Sequence, residues 1–269
     1  MTTAQNMLAF IRALPARWTP GSLFLLCALL LGACNGQKQY VTPTSSLPAH
    51  PAPEGAIWAV APLRNESGVS IVDELAVTDI LVAEMSDAPG IVVLPVNRTI
   101  AAMRSLNMPS IDTPAQAREL ARVLGADALV VGSITAWDPY DPPVLGISLA
   151  LFQGAGQAPA PRGFGADEDP MALRGMATDG SYNPANYQEQ PLAVYSAVFD
   201  ASNGNTRELI RAYADGRHDP RSALGWKRFT ASMSLYAKFA CFEASRRLVA
   251  SERARMGVPE VRAEKSNTR

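Results

Sequence analysis

Ala121-Arg122-Val123-Leu124-Gly125-Ala126-Asp127-Ala128-Leu129-Val130-Val131-Gly132 reads as the end of a helix, a Gly-Ala-Asp turn, and a buried strand closed by glycine. Thr113-Pro114-Ala115-Gln116, just upstream, supplies the helix start. Thr113 takes the N-cap, Pro114 the first helical position, where a missing N–H costs nothing, and Gln116 completes a capping box. Ala117, Leu120, Ala121 and Leu124 then recur at i, i+3, i+4 and i+7, and Gly125 fits the position that ends a helix. The strand is expected over Asp127 to Thr135.

Outward from this unit, Trp137-Asp138-Pro139-Tyr140-Asp141-Pro142-Pro143 forms a rigid polar-aromatic turn before a second strand, Val144 to Phe152. Upstream, the strand Ile57 to Leu63 precedes a polar turn, Arg64-Asn65-Glu66-Ser67-Gly68. The helix after it is expected to take Ser70 as cap, with Asp73 and Glu74 in its first turn. Val72, Leu75, Ala76, Ile80 and Ala83 fall at helical spacing until Pro89-Gly90 stops it. Ile91 to Leu94 reads as a short buried strand, and Asn97 starts a short helix carrying Ile100, Met103 and Leu106. The order β-α-β-α-α-β-β implies an α/β (α+β) domain of three layers, a mixed sheet packed by helices.

Residues 153–190 hold six Gly and four Pro without periodicity, an unusually long loop that is either functional or disordered. Phe164, Tyr182 and Tyr187 within it are candidate partner contacts, with Trp137, Asp138, Tyr140 and Asp141 of the turn. Leu192 to Asp200 and Arg207 to Asp215 flank a Gly-containing segment and read as a hairpin. A long helix from Trp226 closes the domain, with stripes at Phe229, Met233, Tyr236 and Ala240 and at Leu235, Phe239, Phe242 and Val249. Apolar on more than one side, it is either sandwiched in the core or packed on a partner, and with the long loop it is expected to carry contact. The folded domain is assigned to 56–256, and 257–269, charged and polar, is expected to be a disordered tail.

The N-terminus states an address. Arg12 and Arg17 precede an apolar run from Gly21 to Leu31, about a dozen residues against the roughly 20 a spanning helix needs. Leu31-Gly32-Ala33-Cys34 matches the bacterial lipobox, so residues 1–33 are expected to be cleaved and Cys34 acylated. Several acyl chains, at about 0.8 kcal/mol per buried methylene, anchor a domain to one leaflet without spanning it. Asn35 beside the lipidated cysteine favours outer-membrane sorting, with the domain on the periplasmic face. Residues 34–55, rich in Pro, Ser and Thr, are read as a flexible tether that reaches about 70 Å when fully extended. Cys241 is then the one remaining thiol, and its apolar helical setting suits a buried structural cysteine.

The strand Ala59-Val60-Ala61-Pro62-Leu63 with Asn65-Glu66-Ser67 after it, the helix toward Leu81 and Met85, Val92-Val93-Leu94-Pro95, and the Ala121–Gly132 segment together resemble one domain family. It is the α/β domain of CsgG, the amino-terminal domain of TolB, LpoB and FlgO-type lipoproteins. The resemblance covers less than half of the chain and rests on fold punctuation, with no catalytic motif. It implies a TolB-N/CsgG-like domain with a non-enzymatic role, an envelope protein as partner, and homo-oligomeric assembly as an alternative. Secretion pores of the CsgG type add pairs of amphipathic hairpins with strands of roughly 9–11 residues, and the sequence shows no two such hairpins.

Lys and Arg total 24 against 25 Asp and Glu, so no chain-wide basic field exists to hold nucleic acid. Gly154-Ala155-Gly156 lacks the third glycine of a dinucleotide loop, and neither a Walker motif nor a Gly-x-Ser-x-Gly elbow occurs. His218 between Asp215 and Asp219 reads as a solvated turn, and Asp167-Glu168-Asp169 as a solvated charge run. No cofactor, metal or catalytic residue is expected, and a ligand module at the Trp137–Pro143 turn is the remaining alternative.

Overall fold

The strand that follows the Gly-Ala-Asp turn runs Ala128–Asp138 and lies in the middle of the sheet. The computed structural model describes residues 45–52, 54–154, 190–219 and 222–258, all within one unit, Thr42–Arg269. Its elements in chain order are β1 (Ala56–Val60), β2 (Arg64–Asn65), α1 (Glu74–Ser86), β3 (Ile91–Val93), α2 (Val96–Ser105), α3 (Pro114–Leu124), β4 (Ala128–Asp138), β5 (Val144–Gln153), β6 (Ala193–Asp200), α4 (Gly204–Ala214), a 3₁₀ turn (Gly225–Phe229) and α5 (Met233–Arg255).

The sheet order is β3-β1-β4-β5-β6, with β2 also beside β4. β3, β1, β2 and β4 are parallel, with β2 following β1 after a short link and helices joining β2 to β3 and β3 to β4, and β4, β5 and β6 form an antiparallel meander. The mixed α/β class expected from the element order is the one observed. One core packs Trp58, Val60, Ile134, Ile147 and Leu149 against α1, α4 and α5, and a second packs Ala59, Ala61 and Leu129 against α2 and α3. Alternate residues of β1 and β4 thus feed opposite faces, giving helix, sheet and helix layers.

The local chemistry of α3 follows its sequence closely. Thr113 Oγ1 accepts from the Gln116 N–H at 3.2 Å, and Gln116 Oε1 accepts from the Thr113 N–H at 3.1 Å. Gly125, at φ +66°, turns the chain out of the helix, and the Ala126 N–H bonds the Ala121 carbonyl at 3.0 Å. Gly132 is needed for a different reason. A Cβ there would stand 2.5 Å from the Ser148 carbonyl oxygen and 2.6 Å from Leu149 Cδ2.

Several boundaries differ from the sequence reading. α1 is capped by Asp73, whose Oδ1 accepts from the Ala76 N–H at 2.9 Å, and Ser70 lies in the turn before it. Arg64–Asn65, read as turn, pairs in parallel with Ser133–Ile134 of β4. The expected hairpin after β6 is a strand followed by helix α4. Asn203 caps α4 by accepting from the Asn205 N–H at 2.8 Å, and Thr206, Ile210, Tyr213 and Ala214 turn inward at helical spacing. Arg207, Glu208 and Arg211 crowd the exposed face of that helix, where a strand would have had to alternate them with apolar residues.

The long terminal helix starts at Met233, and Trp226 sits before it in the 3₁₀ turn with the Arg211 guanidinium 4.7 Å above its ring. Both apolar stripes of α5 are buried by the chain itself, against α1 on one side and β5 and β6 on the other. Of the two readings the sequence offered, this helix is thus the one sandwiched in the core, its apolar stripes covered by the chain's own elements among the described residues. Glu243 and Glu252, buried on α5, are each neutralised one turn later, by Arg246 and Arg255 at 2.7 Å. Cys241 is fully buried, and desolvation raises its thiol pKa far above the ordinary value.

Candidate functional site

The Trp137–Pro143 turn joins β4 to β5 at one end of the sheet. Trp137 is half-buried against the main core, Asp138 and Asp141 are exposed, and Tyr140 is 78% exposed. Asp138 Oδ1 accepts from the Tyr140 N–H at 3.1 Å, so this carboxylate caps its own turn. The Asp141–Pro142 peptide is cis. What the turn presents is an exposed tyrosine between two exposed carboxylates.

The long 153–190 segment leaves from the other end. Gly154 N–H bonds the Asp127 carbonyl at 2.7 Å and Leu192 N–H bonds the Leu151 carbonyl at 2.6 Å, placing both stems where β1 and β4 begin. An 11-residue strand spans about 35 Å. The two groups of candidate contact residues are therefore rooted at opposite ends of the sheet. Phe164, Tyr182 and Tyr187 lie outside the described residues, as do Leu31, Gly32, Ala33 and Cys34.

At the stem end the chain enters as a strap. Arg217 donates through Nη1 to Ser45 Oγ at 2.7 Å and through Nη2 to the Ser45 carbonyl at 2.9 Å. Leu47 is buried in the main core, and Arg253 donates to the Ala49 carbonyl. The His50 N–H bonds the Pro89 carbonyl at 2.7 Å, and its ring stands edge-on to Trp58 at 5.8 Å. His50 Nδ1 accepts from the Ala52 N–H at 3.2 Å, which requires the neutral ring, and burial lowers its pKa. This part of the segment read as a free tether is fastened to the domain. Its one leucine is what a composition reading of a Pro, Ser and Thr-rich run overlooks.

Beside the strap lies a cleft of about 280 Å³, lined by Glu84 and Asp87 at the end of α1, Tyr213 and Arg217 after α4, Arg228 and Phe229 of the 3₁₀ turn, and Leu235 and Lys238 of α5. The Tyr213 hydroxyl donates to Glu84 Oε1 at 3.2 Å and Oε2 at 3.3 Å. Arg217 stacks over Tyr213 at 4.4 Å and Phe242 at 4.7 Å. Desolvation raises the Glu84 pKa above the ordinary carboxylate value, an effect that exceeds the pull of Tyr213, Arg217 and Lys238. The Tyr213 phenol is pushed up for the same reason. The cleft joins α1 to a stretch more than 120 residues later, Tyr213 to Lys238, so no local motif announced it.

Among the described residues no group of three or more histidines, cysteines, aspartates or glutamates is placed to hold a metal ion. His218 Nδ1 pairs with the Ala214 carbonyl at 2.7 Å, in the turn after α4. No helix of the described residues is long and apolar enough to cross a membrane.

No protein-family model matches the chain, and no curated protein matches it. Solved structures do. Its neighbours include LpoB C-terminal domains and a Neisseria lipoprotein. The LpoB C-terminal domain from Salmonella enterica is 18% identical, with a TM-score of 0.32 over 39% of this chain and 76% of that one. Lipoprotein GNA1162 from Neisseria meningitidis is 15% identical, with a TM-score of 0.37 over 58% of this chain and 94% of that one.

Proposed function

We propose that this chain is a non-enzymatic bacterial lipoprotein, anchored to the outer membrane through Cys34, whose periplasmic α/β domain binds a protein partner of the envelope. The observation that carries the reading is the pairing of a lipobox at Leu31-Gly32-Ala33-Cys34 with a domain that receives its N-terminal strap at one end of the sheet. From Cys34 to Ser45 the chain spans 11 residues, a reach of about 40 Å at most. The strap end then faces the membrane and the Trp137–Tyr140 tip points toward the cell wall, where it meets the partner. An exposed tyrosine beside a half-buried tryptophan is the kind of side-chain pair that dominates protein interfaces.

The test uses the full chain. Cys34→Ala is expected to abolish palmitate labelling and release the protein from membranes, and retention of label in that variant overturns the anchor. A photo-crosslinking residue at Tyr140 is expected to trap one larger envelope protein, while the same residue at Ala83 on α1 traps none. Equal trapping at both positions, or at neither, overturns the assignment of the tip.

A second reading is homo-oligomeric assembly through β6. Among the described residues that strand is a sheet edge, and its Val194 and Val198 are 56% and 60% exposed, the pattern of an edge open to pairing. Sedimentation of the detergent-solubilised protein as one defined oligomer, lost in Val198→Lys, favours it over the adaptor.

A further inference from the structure

The cleft beside the strap is charged in an organised way. Glu84 and Asp87 stand on the α1 side, while Arg228 and Lys238 stand on the side formed by the 3₁₀ turn and the start of α5. No ion pair within 4.0 Å joins the acids to the bases among the described residues. Arg217, the third cation, places three of its donors on Ser45 and on the Tyr213 carbonyl. Two carboxylates thus face Arg228 and Lys238 across the cleft, with Arg217 a third cation on the strap side, so the lining holds charges of both signs with a formal balance of +1.

Phe229 and Leu235 line the same space. The volume, about 280 Å³, falls at the small end of ligand pockets, the size of an amino acid or a dipeptide. A simple anion would meet Glu84 and Asp87 as well as the bases, and a simple cation would meet Arg228 and Lys238. A molecule carrying both charges satisfies both sides and gives its side chain an apolar surface.

We propose that this cleft binds a small zwitterion with an apolar side chain, an amino acid or dipeptide, its ammonium on Glu84 and Asp87 and its carboxylate on Arg228 and Lys238. The site stands apart from the Trp137–Tyr140 tip and does not depend on the anchor.

Calorimetric titration of the full chain in detergent, with L-leucine and with leucyl-leucine as probes, tests it. Saturable binding of either probe is expected, and comparison of the two fixes the size of the guest. N-acetyl-leucyl-leucine and leucyl-leucinamide, each lacking one charge, are expected to bind about tenfold more weakly than leucyl-leucine, or about 1.4 kcal/mol. If leucine alone binds, N-acetyl-leucine and leucinamide take their place. Asp87→Asn and Lys238→Gln are expected to weaken binding severalfold with unchanged thermal midpoints, since both side chains are exposed. Absence of saturable heat at millimolar probe, equal binding of the charge-deleted compounds, or full affinity in both variants overturns the proposal.

Discussion

Asp127 holds both backbone polar groups of Ile57, 70 positions away: its carboxylate accepts from the Ile57 N–H at 2.7 Å, and its own N–H donates to the Ile57 carbonyl at 2.7 Å. This is the physical content of the aspartate in the Gly-Ala-Asp turn. β1 and β4 run parallel, so the first rung of their ladder needs an acceptor that the turn has to supply. Asp127→Ala is expected to cost about 1–2 kcal/mol, the worth of one charge-assisted hydrogen bond at a partly exposed site. Urea unfolding, with the slope unchanged and the midpoint lowered, checks it.

Gly132→Ala is expected to cost more than Asp127→Ala, because the new methyl meets the Ser148 backbone across the hairpin and cannot be relieved by a rotamer change. Thr113→Ala removes one half of the capping box and is expected to cost about 1 kcal/mol. The same unfolding assay ranks the three.

His50 gives the domain an acid sensitivity. Its folded pKa lies below the ordinary 6.5, so the unfolded chain takes up the proton first as pH falls. The stability tied to the neutral ring is complete above pH 6.5 and is lost as pH drops through the folded value. The thermal midpoint is expected to fall on going from pH 7.5 to pH 5, and His50→Gln to flatten that fall, which a pH series of melts measures.

Glu84 works in the opposite sense. Its folded pKa is raised, so the protonated form stabilises the fold below pH 4.5 and that contribution is lost as pH rises through the folded value. Glu84→Gln keeps an oxygen for the Tyr213 hydroxyl and removes the charge. Its midpoint is expected to exceed the parent's at pH 7 and to match it near pH 4.

Leu47→Ala is expected to cost about 2 kcal/mol, the low end for a buried leucine. Arg217→Ala removes both bonds to Ser45. Either variant is expected to speed proteolytic cutting at Ser45–Ala52 while leaving the rate within the sheet unchanged, as mass analysis of timed digests reports.

The unit from Thr113 to Gly132 was legible because each signal in it is local: a cap, a stripe, a left-handed glycine and a strand. The α4 helix was not, because Gly204 is at home in a hairpin turn and at a helix start, and only inward burial of Thr206, Ile210 and Tyr213 decides between them. Two apolar stripes on α5 announced a helix covered on two sides, without saying that the chain itself supplies both covers. The Trp137–Tyr140 tip could be read as a turn, yet its distance from the 153–190 stems depends on which way β4 and β5 run. Strap and cleft are products of tertiary packing, with Arg217, Ser45 and Glu84 too far apart in sequence for any pattern to join them.

The fastening of Ser45–Ala52 has a mechanical meaning. A pull on the N-terminus arrives at Arg217 and Leu47 before it arrives at the backbone ladder of β1. If Cys34 holds the chain to a membrane as proposed, those side-chain holds are the first to carry load and would act as a fuse, letting the strap peel while the sheet stays whole.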